Sequence, residues 1–386
     1  MLDFTSALYL GMRHPYQSLR SWTQLTTGRP AALEAPQEAR HLARGLARLL
    51  GQEAATLGTS TLHLFWDLFD VLASDRIAIY TDSGIYPIAR WGIERVAAKG
   101  VPTTEFESHH PAALEALLNR DRKSGLRPVV AADGLAPATG RTAPLPEYLS
   151  LVRAYAGYLV IDDTQALGIL GHGPTLGLPY GSGGAGTAAW HGIGGSELIV
   201  VSSLAKGFGA PLAAVAANAR VIAKFEELSA CRMHCSPPSL AAIAAGERAL
   251  MINAVRGDDL RTRLLTLVRQ FRHGLREVGI VASGGFFPVQ TLKPVPVTDP
   301  ARLHGRLSDL GVRTVLHRPR NGGGTRLSFL ISNAHTATDI DAGIDTLRAA
   351  WGRTRQSPPR ALMPGAIAGQ SLRRDRAPVA PRRQAI

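Results

Sequence analysis

The chain has 386 residues, 45% of them hydrophobic, with a formal net charge of +13 and two cysteines. That suffices for a sizeable core, arranged as one large fold or two domains. The two cysteines exclude a disulfide framework, and no apolar run approaches the roughly 18 residues that a membrane-spanning helix needs.

In chain order, residues 2–22 read as mostly extended, broken at Gly11 and Pro15. Pro36 opens a helix with the apolar stripe Ala39, Leu42, Ala43, Leu46, Leu49 and Leu50, and Gly51 stops it. The small-residue loop Gly58-Thr59-Ser60-Thr61 precedes an apolar helix over 62–73. A helix start of that kind suits a phosphate, although Ser and Thr caps are common in any case. Strands are expected at 76–81, 102–106 and 128–132, with helices at 88–99, 112–119 and 145–156. Two apolar runs, 158–161 and 198–201, read as buried parallel strands. The alternation implies an α/β fold with a doubly wound, mainly parallel sheet.

Between those two strands lies a glycine-rich segment, 171–195. Seven of the fifteen residues from Gly181 to Gly195 are glycine, which favours a mobile flap or surface loop over a packed element. After a helix ending near Leu228, CSPPS at 235–239 breaks the chain ahead of two helices, 240–253 and 260–278. A smaller α/β unit follows, with strands near 279–281, 289–292, 312–316 and 325–331 and helices at 300–310 and 338–351. The expected division is an N-terminal segment and helix (1–50), a large domain (51–255), a small C-terminal domain (256–352) and a tail (353–386). That tail holds eight Arg and one Asp, so 8 − 1 = +7 of the net charge lies there. It reads as disordered and solvated, and a nucleic-acid partner is not expected. Met1 is soon followed by Asp3, without the basic start and apolar stretch of a leader, so a cytoplasmic location is expected. Cys231, His234 and Cys235 share one helical turn, but no second Cys/His pair completes a site; reduced thiols and no metal are expected.

The strand at 158–161 runs into the carboxylate pair Asp162 and Asp163. The strand at 198–201 runs into Ser202, Ser203 and then Lys206-Gly-Phe-Gly. Groups at strand ends lie where open α/β sheets hold their ligands. Only five of the 43 basic residues are lysine, so Lys206 stands out among arginines. An amine can lose its proton and form an imine with a carbonyl, which a guanidinium cannot. A turn lysine capping a strand is the plainer reading of the same residue.

Taken together, DD-x-x-x-x-G-x-x-G from Asp162, Ser-x-x-Lys-Gly-Phe-Gly at 203–209, SPPS at 236–239 and SFLISNAHT at 328–336 resemble the α-oxoamine synthases. These are fold-type I transferases that use pyridoxal 5′-phosphate (PLP). The resemblance covers residues 2–351. It implies that Asp162, rather than Asp163, meets the pyridine nitrogen and that Lys206 carries PLP as a Schiff base. It implies phosphate contacts from Ser203 and the Ser60-Thr61-Leu62 loop, and a homodimer with its sites at the subunit interface. A carboxylate beside the ring nitrogen keeps it protonated and electron-accepting.

The departures lie mostly on the substrate side. Gln165 stands where the family has histidine; an amide still hydrogen-bonds but carries no proton near neutral pH. Tyr86 replaces the stacking histidine. Ala7 and Pro137 replace an asparagine and a serine. Ser328 replaces the arginine that grips the amino-acid carboxylate. Arg326, two residues earlier on the same strand face, either substitutes for that arginine or makes a structural ion pair. The expectation is a PLP-dependent acyltransferase joining an amino acid to an acyl thioester of CoA or an acyl carrier protein, with altered substrates. Transamination or another carbanion fate is the alternative, and a non-catalytic partner protein the third reading.

Overall fold

The computed structural model describes residues 1–294, 299–318 and 324–355. The N-terminal segment is irregular rather than extended: β1 (Leu2–Asp3) and a 3-10 turn at Tyr16–Ser18 are its regular parts. Its side chains Phe4, Tyr9 and Leu10 are nonetheless buried, so packing holds it in place. Pro36 caps α1 (Gln37–Leu49), whose Ala39, Leu42, Ala43 and Leu46 face the core. β2 (Ala54–Gly58) leads into α2 (Thr61–Leu72). β3 (Ile77–Asp82), α3 (Pro87–Ala97), β4 (Thr103–Phe106), α4 (Pro111–Asp121) and β5 (Arg127–Asp133) then alternate as expected. A short hairpin, β6 (Leu135–Ala136) and β7 (Arg141–Thr142), precedes α5 (Leu145–Arg153) and β8 (Tyr158–Asp162). α6 (Thr187–His191) lies inside the glycine-rich segment, before β9 (Leu198–Ser203) and β10 (Ala213–Ala217). α7 (Ala219–Leu228) and α8 (Ala230–His234) complete this part.

Seven strands form one sheet in the order β2-β10-β9-β8-β5-β3-β4. The five from β9 to β4 are mutually parallel, and β10 runs antiparallel to both β9 and β2. β2 and β10 escape a reading of the pattern because AATLG and AAVAA lack the run of β-branched residues that marks a buried strand.

The remaining elements are α9 (Leu240–Glu277), β11 (Ala282–Ser283), β12 (Val289–Leu292), α10 (Pro300–Asp309), β13 (Val312–Arg313), β14 (Val315–His317), β15 (Arg326–Leu330) and α11 (Ala337–Arg355). β11-β12-β15-β14 form an antiparallel sheet, and β1 pairs in parallel with β13. The chain start is thereby fastened to the C-terminal unit. Phe4 seals the junction, stacking on His335 with ring centres 4.5 Å apart and meeting Phe329 edge-on at 5.4 Å. The basic tail from residue 356 lies outside the described residues, while residues 353–355 belong to α11.

Two expectations are corrected. First, α9 is a single helix of 38 residues where two were expected. Glycine costs a helix interior about 1 kcal/mol, yet Gly257 lies within α9. Its bare Cα instead makes room: a Cβ there would lie 2.6 Å from both the Arg261 guanidinium and Asn253 Oδ1. Second, the glycine-rich segment is packed. Arg261, 1% exposed, donates to the Gly168 carbonyl at 2.9 Å and to Asn253 Oδ1 at 2.8 Å, and pairs with Asp258 at 2.7 Å. Asn253 donates to the Gly183 carbonyl, and the Gly183 amide donates to Asp258. Gly184, at φ +70°, holds its backbone so close that a Cβ would lie 2.5 Å from Arg261. The glycines permit this close approach rather than mobility.

Arg261→Ala strands the buried Gly168 carbonyl and Asn253 Oδ1. It should lower the unfolding free energy by about 2–3 kcal/mol in urea titration. Arg256→Ala, on the exposed face of the same helix, should change it by no more than about 0.5 kcal/mol.

Candidate active site

Parallel pairing aligns the carboxyl ends of β5, β8 and β9. Asp133 lies opposite Asp162, and Asp162 opposite Val201, with Lys206 five residues further along the chain. Two carboxylates and one amine thus meet at the sheet edge where α/β folds bind ligands. Burial pulls the Lys206 amine below its ordinary pKa, against the attraction of Asp162 and Asp133. Among the described residues Lys206 has no hydrogen-bond or ion-pair partner. Asp162 is 8% exposed, and its Oδ1 accepts the Thr164 amide at 3.0 Å. Burial raises its carboxyl. The Asp133 carboxyl is raised further, by burial and by the neighbouring Asp162 charge, and it accepts the Tyr86 amide at 2.9 Å. Two crowded carboxylates without a contacting cation invite a cationic group between them.

Asp163 has a different task. It is 1% exposed and accepts both the amide and the hydroxyl of Thr187 at the start of α6. Gly186, at φ +90°, lets the backbone close over this carboxylate, since a Cβ would fall 1.8 Å from Asp163 Oδ2. Burial pushes the Asp163 carboxyl up to about 7.

The other expected residues surround the strand ends. Ser203 donates its amide to Thr164 Oγ1 at 3.0 Å, and its hydroxyl accepts the Ala205 amide. Gln165 Oε1 accepts the phenol of buried Tyr9 at 2.8 Å. Ser60 is the N-cap of α2, yet its hydroxyl engages His63 Nδ1 at 2.8 Å, beside Thr59 at 2.9 Å. With the side chain so occupied, the first-turn N–H groups at Thr61 and Leu62 stay open to an anion. Tyr86 starts α3 and is 51% exposed, so a ring face is available.

Ser328 and Arg326 lie on β15. The buried Ser328 hydroxyl is taken by Thr291 at 2.8 Å and His317 Nε2 at 2.9 Å. Arg326 borders a small cavity with Leu303 and Trp351, which none of the other expected site residues lines. A cavity of about 700 Å³ runs along α1 and β2 and likewise holds none of them. Asp133, Thr164, Tyr9 and His63 were not anticipated. Asp133 carried a usable signal, a carboxylate ending the strand beside that of Asp162. Tyr9 and Thr187 carried none, because their partners lie 156 and 24 residues away.

The family model for aminotransferase class I and II matches residues 8–313. The chain belongs to that family. It is a fold-type I, PLP-dependent transferase. It is 25% identical over 359 residues to an 8-amino-7-oxononanoate synthase of Pseudomonas aeruginosa, spanning 91% of this chain and 79% of that protein. With the Sodalis glossinidius enzyme of the same name it shares 29% over 360 residues, spanning 90% and 87%. Among solved structures, SPT with PLP as internal aldimine superposes at TM-score 0.80, with 16% identity over 91% of this chain and 87% of that one. An 8-amino-7-oxononanoate synthase of Francisella tularensis superposes at 0.68, with 16% identity over 92% and 98%. The residues present fit the cofactor: an amine with depressed pKa, carboxylates lacking a contacting cation, and an uncapped helix start.

The raised Asp163 carboxyl yields a test. Its folded pKa lies near 7 and its unfolded value near 3.8, so the folded state holds the extra proton between them. Stability from this group is full below about pH 4 and is lost as pH rises through about 7. Asp163→Asn cannot ionise, so its stability relative to wild type should improve across that window in urea titrations at stepped pH.

Proposed function

We propose that this protein is an acyltransferase of the α-oxoamine synthase type, condensing an amino acid with an acyl thioester of CoA or an acyl carrier protein. The observation that carries this reading is Lys206, an amine with depressed pKa facing Asp162 and Asp133 across adjoining strand ends. The relatives named 8-amino-7-oxononanoate synthase support the reaction class.

When bound, PLP supplies an electron-accepting ring for the charge left on an amino acid's α-carbon. Lys206 would hold the cofactor and, once displaced, accept the α-proton at Nζ, which its lowered pKa favours. Asp162 would keep the pyridine nitrogen protonated. Ser203 and the Ser60-Thr61-Leu62 amides would hold the phosphate, and Tyr86 would cover a ring face. Gln165, its oxygen taken by Tyr9, keeps its amide N–H groups for donation.

The substrates would differ from those of the named relatives. Ser328 is too short for a bidentate carboxylate grip and its hydroxyl is already engaged. Such a grip is worth about 2–5 kcal/mol when buried. Arg326 would replace it only from a shifted register. We extend the proposal to a homodimer, on the apolar surface formed by Leu62, Trp66, Tyr86 and Trp91 of α2 and α3, 36–51% exposed. The division into units 51–255 and 256–352 and a cytoplasmic location belong to the same proposal.

Borohydride reduction and peptide mapping should place the pyridoxyl group on Lys206. Label on Lys224, which pairs with Asp75, would sink the assignment. Free thiol should appear when amino acid and acyl-CoA are supplied together; keto-acid formation without thiol would instead indicate transamination. Asp162→Asn should slow turnover by ~100-fold or more, the scale of removing one aligned electrostatic partner. Asp163→Asn should act chiefly on stability.

A further inference from the structure

The two edges of the seven-stranded sheet are finished differently. β4, at one edge, is preceded by Pro102 and carries Glu105, which pairs with Arg90. Proline and charge are ordinary guards against pairing with a further strand. β2, at the other edge, reads AATLG and has neither. The cavity of about 700 Å³ lies along it, lined by Ala54, Ala55, Thr56 and Leu57, with α1 as one wall.

Register shows which backbone groups of β2 face outward. The Val201 carbonyl accepts the Asp163 amide, so Val201 faces β8, and its neighbours Val200 and Ser202 face β10. Alternation along β10 then turns Ala213, Val215 and Ala217 toward β2, where they meet Gly58, Thr56 and Ala54. Ala55 and Leu57 are left with N–H and C=O directed away from the sheet. Among the described residues these groups have no hydrogen-bond partner. Two donors and two acceptors thus stand ready at the spacing of a β-ladder.

The charge beside this edge is one-sided. Arg44 and Arg48 line the cavity from α1, are exposed, and have no partner among the described residues. The other charged groups of the lining are engaged. Arg40 donates to the Ala35 carbonyl, and Arg232 to Thr56 and the Ala31 carbonyl. Glu53 accepts the Ala219 amide, and Glu226 accepts the Thr56 hydroxyl. Residues four apart on a helix are about 6 Å apart along its axis, close to the roughly 6.7 Å between alternate residues of a strand. A strand with carboxylates at alternate positions would match both the ladder and the two cations. A second copy of β2 would bring its own arginines against these, and the tail from residue 353 holds eight Arg and one Asp. Like charge disfavours both as occupants.

We propose that the outer edge of β2 is a docking site for an extended, acidic segment of another protein, which joins the sheet as a further strand. This holds whichever reaction the strand-end site performs.

The test uses the full-length, PLP-loaded protein and a fluorescein-labelled peptide alternating glutamate and valine, titrated by anisotropy. Binding should slow hydrogen exchange across residues 54–58, and a fully N-methylated version of the peptide should not bind, because it has no donors for the ladder. Ala55→Pro removes one outward N–H and no bond to β10; it should weaken binding about threefold to tenfold. The Arg44→Glu, Arg48→Glu double variant should weaken it by about tenfold or more at low salt. Should Ala55→Pro not fold, the N-methylated peptide still decides. No binding, binding that leaves exchange at 54–58 unchanged, or equal binding of a lysine–valine peptide would overturn the proposal. So would self-association that the double variant strengthens, which would assign the edge to a second copy. Displacement of the peptide by adenosine diphosphate would overturn it too, by assigning the groove to a small anion.

Discussion

Consecutive residues of a strand point to opposite faces, and at the end of β8 that constraint divides two buried carboxylates. Asp162 turns toward Lys206 and Asp133, where its charge is left without a contacting cation. Asp163 turns the other way and is tied to Thr187. One carboxylate is left beside the amine and the other organises the segment beyond it. Neither role survives a one-residue slip, because a slip exchanges the faces.

The glycine-rich segment follows from the second carboxylate. Two of its glycines, Gly184 and Gly186, lie where backbone must pass within van der Waals reach of Arg261 and Asp163. Arg261 in turn lies at the middle of α9, the helix that runs without interruption toward the C-terminal unit. The buried guanidinium satisfies Gly168, Asn253 and Asp258 together, which is why α9 tolerates a glycine at 257. The segment that reads as loose from composition is therefore held by some of the most completely buried polar groups in the described chain.

The C-terminal unit has a buried polar centre of its own. The Ser328 hydroxyl on β15 joins Thr291 and His317 across three strands of one sheet. Burial and the nearby Arg326 cation both pull the His317 imidazole below its ordinary pKa, so it is a neutral partner at physiological pH.

Much was legible from the sequence alone. The αβ alternation, the parallel sheet, and the placing of Asp162, Ser203 and Lys206 at or just beyond neighbouring strand ends follow from local signals: apolar runs and the residues that end them. Strands β2 and β10 did not, because alanine favours helix and only pairing with neighbouring strands overrides that preference. Composition read the glycines at 184 and 186 as freedom, whereas the fold uses each as clearance for a charged group. Asp133 was visible as a residue but not as a site member, since its proximity to Asp162 arises from strand order. Tyr9 at Gln165 and Thr187 at Asp163 meet only through contacts distant in sequence. Short-range patterns determine which residues can do the chemistry; packing decides which of them meet, because burial and hydrogen bonding act on distance in space.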